Sequence, residues 1–231
     1  MAPLGWRREG GAASTPSPSN STGPRGLCCR LLSRAALSCD ARGMDLALRP
    51  HPDAPPRAPL ALAATCVRAG SRLELAYRLD DPGAAVSWPA PVPDGLRQRT
   101  DRLWTTTCCE LFVRLPGAAG YVEFNFAPAG HWAAYAFDGH RRGMRDLAMA
   151  RAPQVRQTGP DGRTLVVSLD VPLDPDAPWE ASLTTVIDET GAGPSFWALA
   201  HAPDGADFHH PATFVLDLSP THPAATLEPA T

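Results

Sequence analysis

The sequence predicts an all-β domain built as an antiparallel β-sandwich. Three observations predict it. About ten short segments between residues 60 and 218 carry strand patterning, and Gly, Pro and Asp clusters separate them at regular spacing. No long stretch repeats its apolar residues at the helical period, and there is no internal repeat.

Taken in order, the first 43 residues stand apart. They are rich in Pro, Ser and Gly up to Gly26, which predicts disorder, and residues 27–43 are compatible with a short amphipathic helix. Arg30 and Arg34 interrupt the only apolar run, so the segment does not read as a secretory signal. Either Met44 is the true start of the protein, or the Arg-rich segment is a targeting presequence. The domain is expected over residues 44–220, with a disordered tail over 221–231.

Leu60–Arg68 and Arg72–Leu79 read as a hairpin across Ala69–Ser71, because charged and apolar residues alternate in the second arm. Asp81-Pro82-Gly83 closes it, and Val86–Trp88 reads as a short strand. Three strands follow: Thr106–Leu115, Tyr121–Ala127 and His131–Asp138, divided by Pro116-Gly117 and Pro128–Gly130 and closed by Asp138-Gly139. Asp146–Met149 reads as one helical turn. Val155–Thr158 and Thr164–Leu169 flank the turn residues Gly159–Gly162. Glu180–Asp188, a flexible Glu189–Gly193, Phe196–His201 and Thr213–Leu218 complete the set.

The central three strands hold most of the candidate functional residues. Alternation puts Leu111, Val113 and Leu115 on one face and Glu110, Phe112 and Arg114 on the other. In the next strand Val122, Phe124 and Phe126 oppose Tyr121, Glu123 and Asn125. Paired as hairpins, these strands bring Glu110, Arg114, Glu123 and Asn125 to one face, beside Tyr121 and an aromatic of the third strand. Such a face is either a pocket for a polar small molecule or a solvated surface with cross-strand ion pairs. Glu110 and Glu123 also have the makings of a glycosidase acid/base pair, which needs carboxylates roughly 5–10 Å apart. Arg114 is expected to hold them ionised, which opposes that role.

Composition removes other classes. The 231 residues carry a net charge of −3, without the basic surface that nucleic acid demands. All 21 basic residues are Arg, which points to a GC-rich coding bias and lowers the weight of any single Arg. No run approaches the ~20 apolar residues of a membrane span. The six cysteines include two vicinal pairs and no zinc-finger spacing, and with no export signal a reduced cytoplasmic setting is expected. Glycine-loop, nucleophile-elbow and paired-histidine zinc motifs are missing. A metal held by His201, Asp207 and His209 competes with the reading of these residues as caps of turns.

The stretch from Leu103 to Met144, followed downstream by Phe196–Leu218, resembles the DOMON-like proteins. These are bacterial single-domain relatives of the family-9 carbohydrate-binding modules and of the haem- or sugar-binding DOMON domains. The resemblance rests on Trp104 through Glu110, on Glu123 through Trp132, on the Phe137–Met144 turn, and on Trp197–His201 with Asp207–Pro211. It implies a jelly-roll-like sandwich that binds a ligand and performs no chemistry. It further implies a sugar clamped between Trp104 and Trp197, with Trp132 and Tyr135 in reserve, and Glu110, Glu123, Asn125 and His201 on the hydroxyls. No cofactor is expected; the haem branch would need Met144 paired with His201 or His209. The characterised relatives work outside the cell, often joined to a hydrolase or redox domain. The expected ligand here is therefore a small saccharide or metabolite.

Overall fold

The computed structural model describes Leu37, Ser38 and residues 45–220. In chain order the strands are β1 (Leu37–Ser38), β2 (Leu46–Pro50), β3 (Ala61–Ala69), β4 (Arg72–Asp80), β5 (Cys108–Arg114), β6 (Tyr121–Phe126) and β7 (Trp132–Phe137). Then come β8 (Arg145–Asp146), β9 (Gln154–Thr158), β10 (Thr164–Asp170), β11 (Trp179–Glu189), β12 (Gly193–Ala198) and β13 (Leu216–Leu218). Among the described residues, helical structure is limited to 3-10 turns at Asp94–Leu96, Leu103–Thr105 and Pro211–Thr213.

The domain is the antiparallel β-sandwich that the patterning predicts. One sheet runs β8-β7-β6-β5-β11-β12 and the other β2-β3-β4-β10-β9. Strand β2 joins them, pairing with β3 along Leu46–Leu48 and with β12 at Arg49 and Pro50. Strand β13 lies beside the start of β11 and takes β1 in parallel. Alternation decides the interior. Leu73, Leu75, Tyr77 and Leu79 of β4 share one core with Leu111 and Val113 of β5, Phe124 of β6 and Leu183 of β11.

The first sheet is covered on its outer face as well. Strands β5, β6 and β7 are buried on both sides. The chain returning from β12 lays Phe208 and Phe214 over Phe112, Tyr121, Tyr135 and Phe137, making a second apolar cluster. A strap ahead of β5 is tied to β7, where the Trp132 amide donates to the Gln98 carbonyl at 3.2 Å and the Thr100 amide to the Trp132 carbonyl at 2.8 Å. The strap delivers Asp101–Trp104 to the β7 edge.

Several expectations are corrected. Strand β2 was not expected; it is only five residues long and ends in Pro50, at the head of a proline-rich run, so its alternation is brief. Val86–Trp88 makes only a single bridge, Val86 to Glu189. Asp146 continues β7 pairing in β8 instead of starting a helical turn. Strand β12 stops at Ala198, leaving His201 on a loop, and Pro211–Thr213 is a 3-10 turn. Glu189, expected in a flexible link, is buried and accepts the amides of Arg57 and Ala58 at 2.9 and 2.8 Å. Leu37–Ser38, within the 27–43 stretch read as compatible with a short helix, pairs with β13 as a two-residue strand. The expectations for the rest of residues 1–43 and for the 221–231 tail lie outside the described residues.

Candidate functional site

Register builds the site in rows across the outer face of the first sheet. One row runs Thr184–Glu110–Asn125–Ala133, the next Ser182–Phe112–Glu123–Tyr135–Asp146. Glu110, Glu123 and Asn125 therefore meet, as the alternation predicts. They meet below the surface, however: Glu110 is 3% exposed, Glu123 4% and Asn125 0%. Asn125 Nδ2 donates to Glu123 Oε1 at 2.6 Å, and Thr184 Oγ1 donates to Glu110 Oε2 at 3.2 Å. The Cys108 thiol lies 3.5 Å from Asn125 Oδ1.

Burial dominates the electrostatics. It pushes the Glu110 carboxyl well above the ordinary carboxylate range, and the Glu123 charge pushes it further. Glu123 is pushed up to about 7 by burial, against the opposing pull of Asn125 and Arg141. The Arg expected to ionise this pair does not face it. Arg114 pairs with Glu180 at 2.7 Å and stacks on Phe214 at 4.3 Å. The guanidinium that acts on the buried carboxyls belongs to Arg141.

Above these groups sits a latch. Asp207 accepts from Arg141 Nη2 at 2.7 Å, from His140 Nε2 at 2.6 Å and from the His209 amide at 3.1 Å. Burial alone would raise the Asp207 carboxyl; Arg141 and His140 outweigh it and hold it below its ordinary value. Tyr121 Oη accepts the Arg141 amide at 3.2 Å and shares a hydrogen bond with His209 Nδ1 at 2.7 Å, leaving the other ring nitrogen, Nε2, toward the buried row. That Nε2 lies 3.9 Å from Glu123 Oε2. Burial, with Arg141 nearby, drives the His209 pKa down to about 3, so this pair is not an ion pair at neutral pH.

Beside the buried row opens a hollow of about 330 Å3, lined by Trp104, Tyr135, Asp101, Arg102, Met144 and Arg145 with Asp146. The rings of Trp104 and Tyr135 stand 5.8 Å apart at 70°, and Tyr135 Oη donates to Asp101 Oδ1 at 2.8 Å. Trp104 is presented by a 3-10 turn that begins after Arg102, a residue at φ 61°. Asp146 is held by Arg99 at 2.8 Å. Arg145 and Asp101 escaped the sequence reading, although Arg145 directly follows the Phe137–Met144 turn, and Met144 was considered there only as a haem ligand.

The two-tryptophan clamp is corrected. Trp197 is 3% exposed and belongs to the inner core, its Nε1 donating to Ser195 Oγ at 3.0 Å, whereas Trp104 packs on the outer cluster. Odd positions of β12 face inward, so the two indoles lie on opposite faces of one sheet. Trp132 also faces inward, against the core, with the Arg99 guanidinium 5.8 Å from its ring. His201 lines a separate hollow of about 570 Å3 with His51, Arg49 and Asp53. There its Nε2 donates to the Arg49 carbonyl at 2.7 Å.

The metal set is likewise not assembled. Asp207 serves the latch, His209 bonds Tyr121 and His201 lies in the other hollow; among the described residues no group of three such side chains is placed to hold a metal ion. Met144 borders one hollow and His201 the other, so that haem pairing is not brought together. His209, the other partner considered, has Nδ1 engaged by Tyr121 and Nε2 facing Glu123.

No protein-family model and no curated protein matches the chain. Solved structures do. A proposed carbohydrate-binding protein from Bacteroides uniformis ATCC 8492 aligns at TM-score 0.55 and 16% identity, over 76% of this chain and 85% of its own. A family-9 carbohydrate-binding module from Caldicellulosiruptor kristjanssonii, in complex with cellotriose, aligns at TM-score 0.51 and 8% identity, over 84% and 97%. Such a module from the same organism, in complex with glucose, aligns at TM-score 0.52 and 9% identity, over 75% and 83%. At these identities the likeness is one of fold, and the chain shares the β-sandwich of these proteins.

Proposed function

We propose that this chain is a non-catalytic carbohydrate-binding domain that holds one sugar ring in the Trp104–Tyr135 hollow. The observation that carries the reading is the hollow itself. A half-buried indole and a tyrosine ring form its apolar wall, and Asp101, Arg102, Arg145 and Asp146 stand around them. An indole offers a pyranose the flat apolar surface that its C–H face prefers, while carboxylates and guanidinium groups satisfy hydroxyls. A volume of about 330 Å3 falls at the low end of the ~300–1,000 Å3 usual for small ligands, which suits one ring better than a chain. The fold likeness to modules seen with glucose and cellotriose supports the same ligand class, as does the DOMON-like motif order.

The buried carboxyls favour binding over hydrolysis. A glycosidase pair must reach a glycosidic oxygen and a water, and Glu110 and Glu123 lie beneath the latch with almost no exposed surface. The test is calorimetric titration with glucose and cellotriose on the wild type and on Trp104→Ala. Binding in the first and its loss in the second is the expected result. Wild-type affinity retained by Trp104→Ala would overturn the assignment of the site.

A further inference from the structure

The turn between β7 and β8 does two jobs at once. Its tip residues, His140 and Arg141, are held by Asp207; its descending arm supplies Met144 and Arg145 to the wall of the hollow. The turn is braced internally, with the Asp138 amide donating to the Arg142 carbonyl at 2.9 Å and Arg145 Nη1 donating to Asp138 Oδ1 at 2.6 Å. Whatever moves Arg141 therefore moves the wall. Directly under the latch lies Glu123, whose cross-strand partner is Tyr135, the other wall of the same hollow.

We propose that Glu123 is the sensor of a pH switch that acts on the saccharide hollow through the Asp207 latch. The proposal rests on the carbohydrate reading of that hollow. The groups facing Glu123 come from every element around it. Glu110 and Cys108 approach from β5, Tyr121 and Asn125 from β6 itself, and Tyr135 from β7. Thr184 lies beyond Glu110 on β11. His209 and Asp207 cover it from the returning segment, and Arg141 with His140 from the turn. When Glu123 is protonated, Asp207 has the Arg141 guanidinium to itself and the turn is held. When Glu123 is ionised, a second carboxylate in a poorly solvated place competes for the same guanidinium. The His209 ring between them is neutral and cannot neutralise the new charge. Arg141 is drawn toward Glu123, the Asp207 contacts loosen, and Met144 and Arg145 leave their positions. Saccharide binding is thus tighter on the acid side of neutrality.

Amide hydrogen exchange over residues 138–146, corrected for intrinsic rates at pH 6 and pH 8, reads the latch without any ligand. Wild type should exchange at least about fivefold faster at pH 8, the scale of ordinary site–site coupling. Glu123→Gln should show no such ratio, and Arg141→Gln, a surface change, should exchange fast at both pH values. A wild-type ratio near one, or the same ratio in Glu123→Gln, would overturn the switch. Cellotriose titrations at both pH values form the second arm, with affinity expected to fall by a similar factor at pH 8 in wild type and not in Glu123→Gln. A pH-dependent latch in a protein that binds no saccharide at either pH would sink the carbohydrate reading and leave the latch. Binding with equal affinity at both pH values would sink its control of the hollow.

Discussion

The Tyr77 hydroxyl donates to the main-chain carbonyl of Glu110 at 2.7 Å, through the interior from one sheet to the other. Both residues are buried. The bond fixes the height of β5 over β4 at the one position whose side chain, pointing the opposite way, enters the buried carboxyl row. The structural core and the candidate site thus share a single residue, approached from its two sides.

Removing that hydroxyl isolates its contribution. Tyr77→Phe keeps the ring and leaves the carbonyl without this donor in an apolar interior. A loss of about 1–2 kcal/mol is expected in urea unfolding. An unchanged midpoint would show that the bond adds nothing to the fold.

The two tryptophans that the sequence reading paired should separate cleanly. Trp197→Ala empties part of the inner core and should cost about 3–5 kcal/mol. Trp104→Ala, on a half-buried surface turn, should stay within about 1 kcal/mol of wild type while losing saccharide binding. Thermal melts and titrations on the same preparations check both.

Glu123 gives stability a pH dependence of definite sign. Its folded carboxyl is pushed up to about 7, above the ~4.3 of an unfolded Glu. Between those values the native state holds a proton that the unfolded state has released, so stability falls as pH rises through this window and then levels off. Glu110, raised in the same direction, adds to the trend. Urea melts from pH 4.5 to 8 should show Glu123→Gln gaining on wild type as pH rises. A constant difference between the two would contradict the raised carboxyl.

Gly143 has φ +67°, and a Cβ built there would overlap the Asp138 carboxylate that holds Arg145. Gly143→Ala should therefore cost about 1–3 kcal/mol in strain and displace the Arg145 wall. Weakened saccharide binding, together with faster exchange in the turn, is the expected signature. Unaltered affinity would mean that this arm does not shape the hollow.

The pattern of the chain was enough to place the three central strands and to put Glu110, Glu123 and Asn125 on one face, because side-chain parity in a strand is a local property. Hairpin turns such as Gly159–Gly162 were equally readable. Strand β2 was not, since five residues ending in a proline carry too little alternation. Nor could parity say which face was covered, as that depends on Phe208 and Phe214 returning from about a hundred residues downstream to lie over the central sheet.

The sequence by itself determined an all-β domain and the company of its buried carboxyls. The tertiary structure decided everything that relies on distant segments: Trp197 turned into the core and away from Trp104, Arg114 taken by Glu180, Arg141 set over the carboxyl row, and a hollow formed by a strap and a turn. The physical reason is range. Alternation acts between neighbours along one strand, whereas burial, ion pairing and concavity depend on which remote parts of the chain the packing of two sheets brings together.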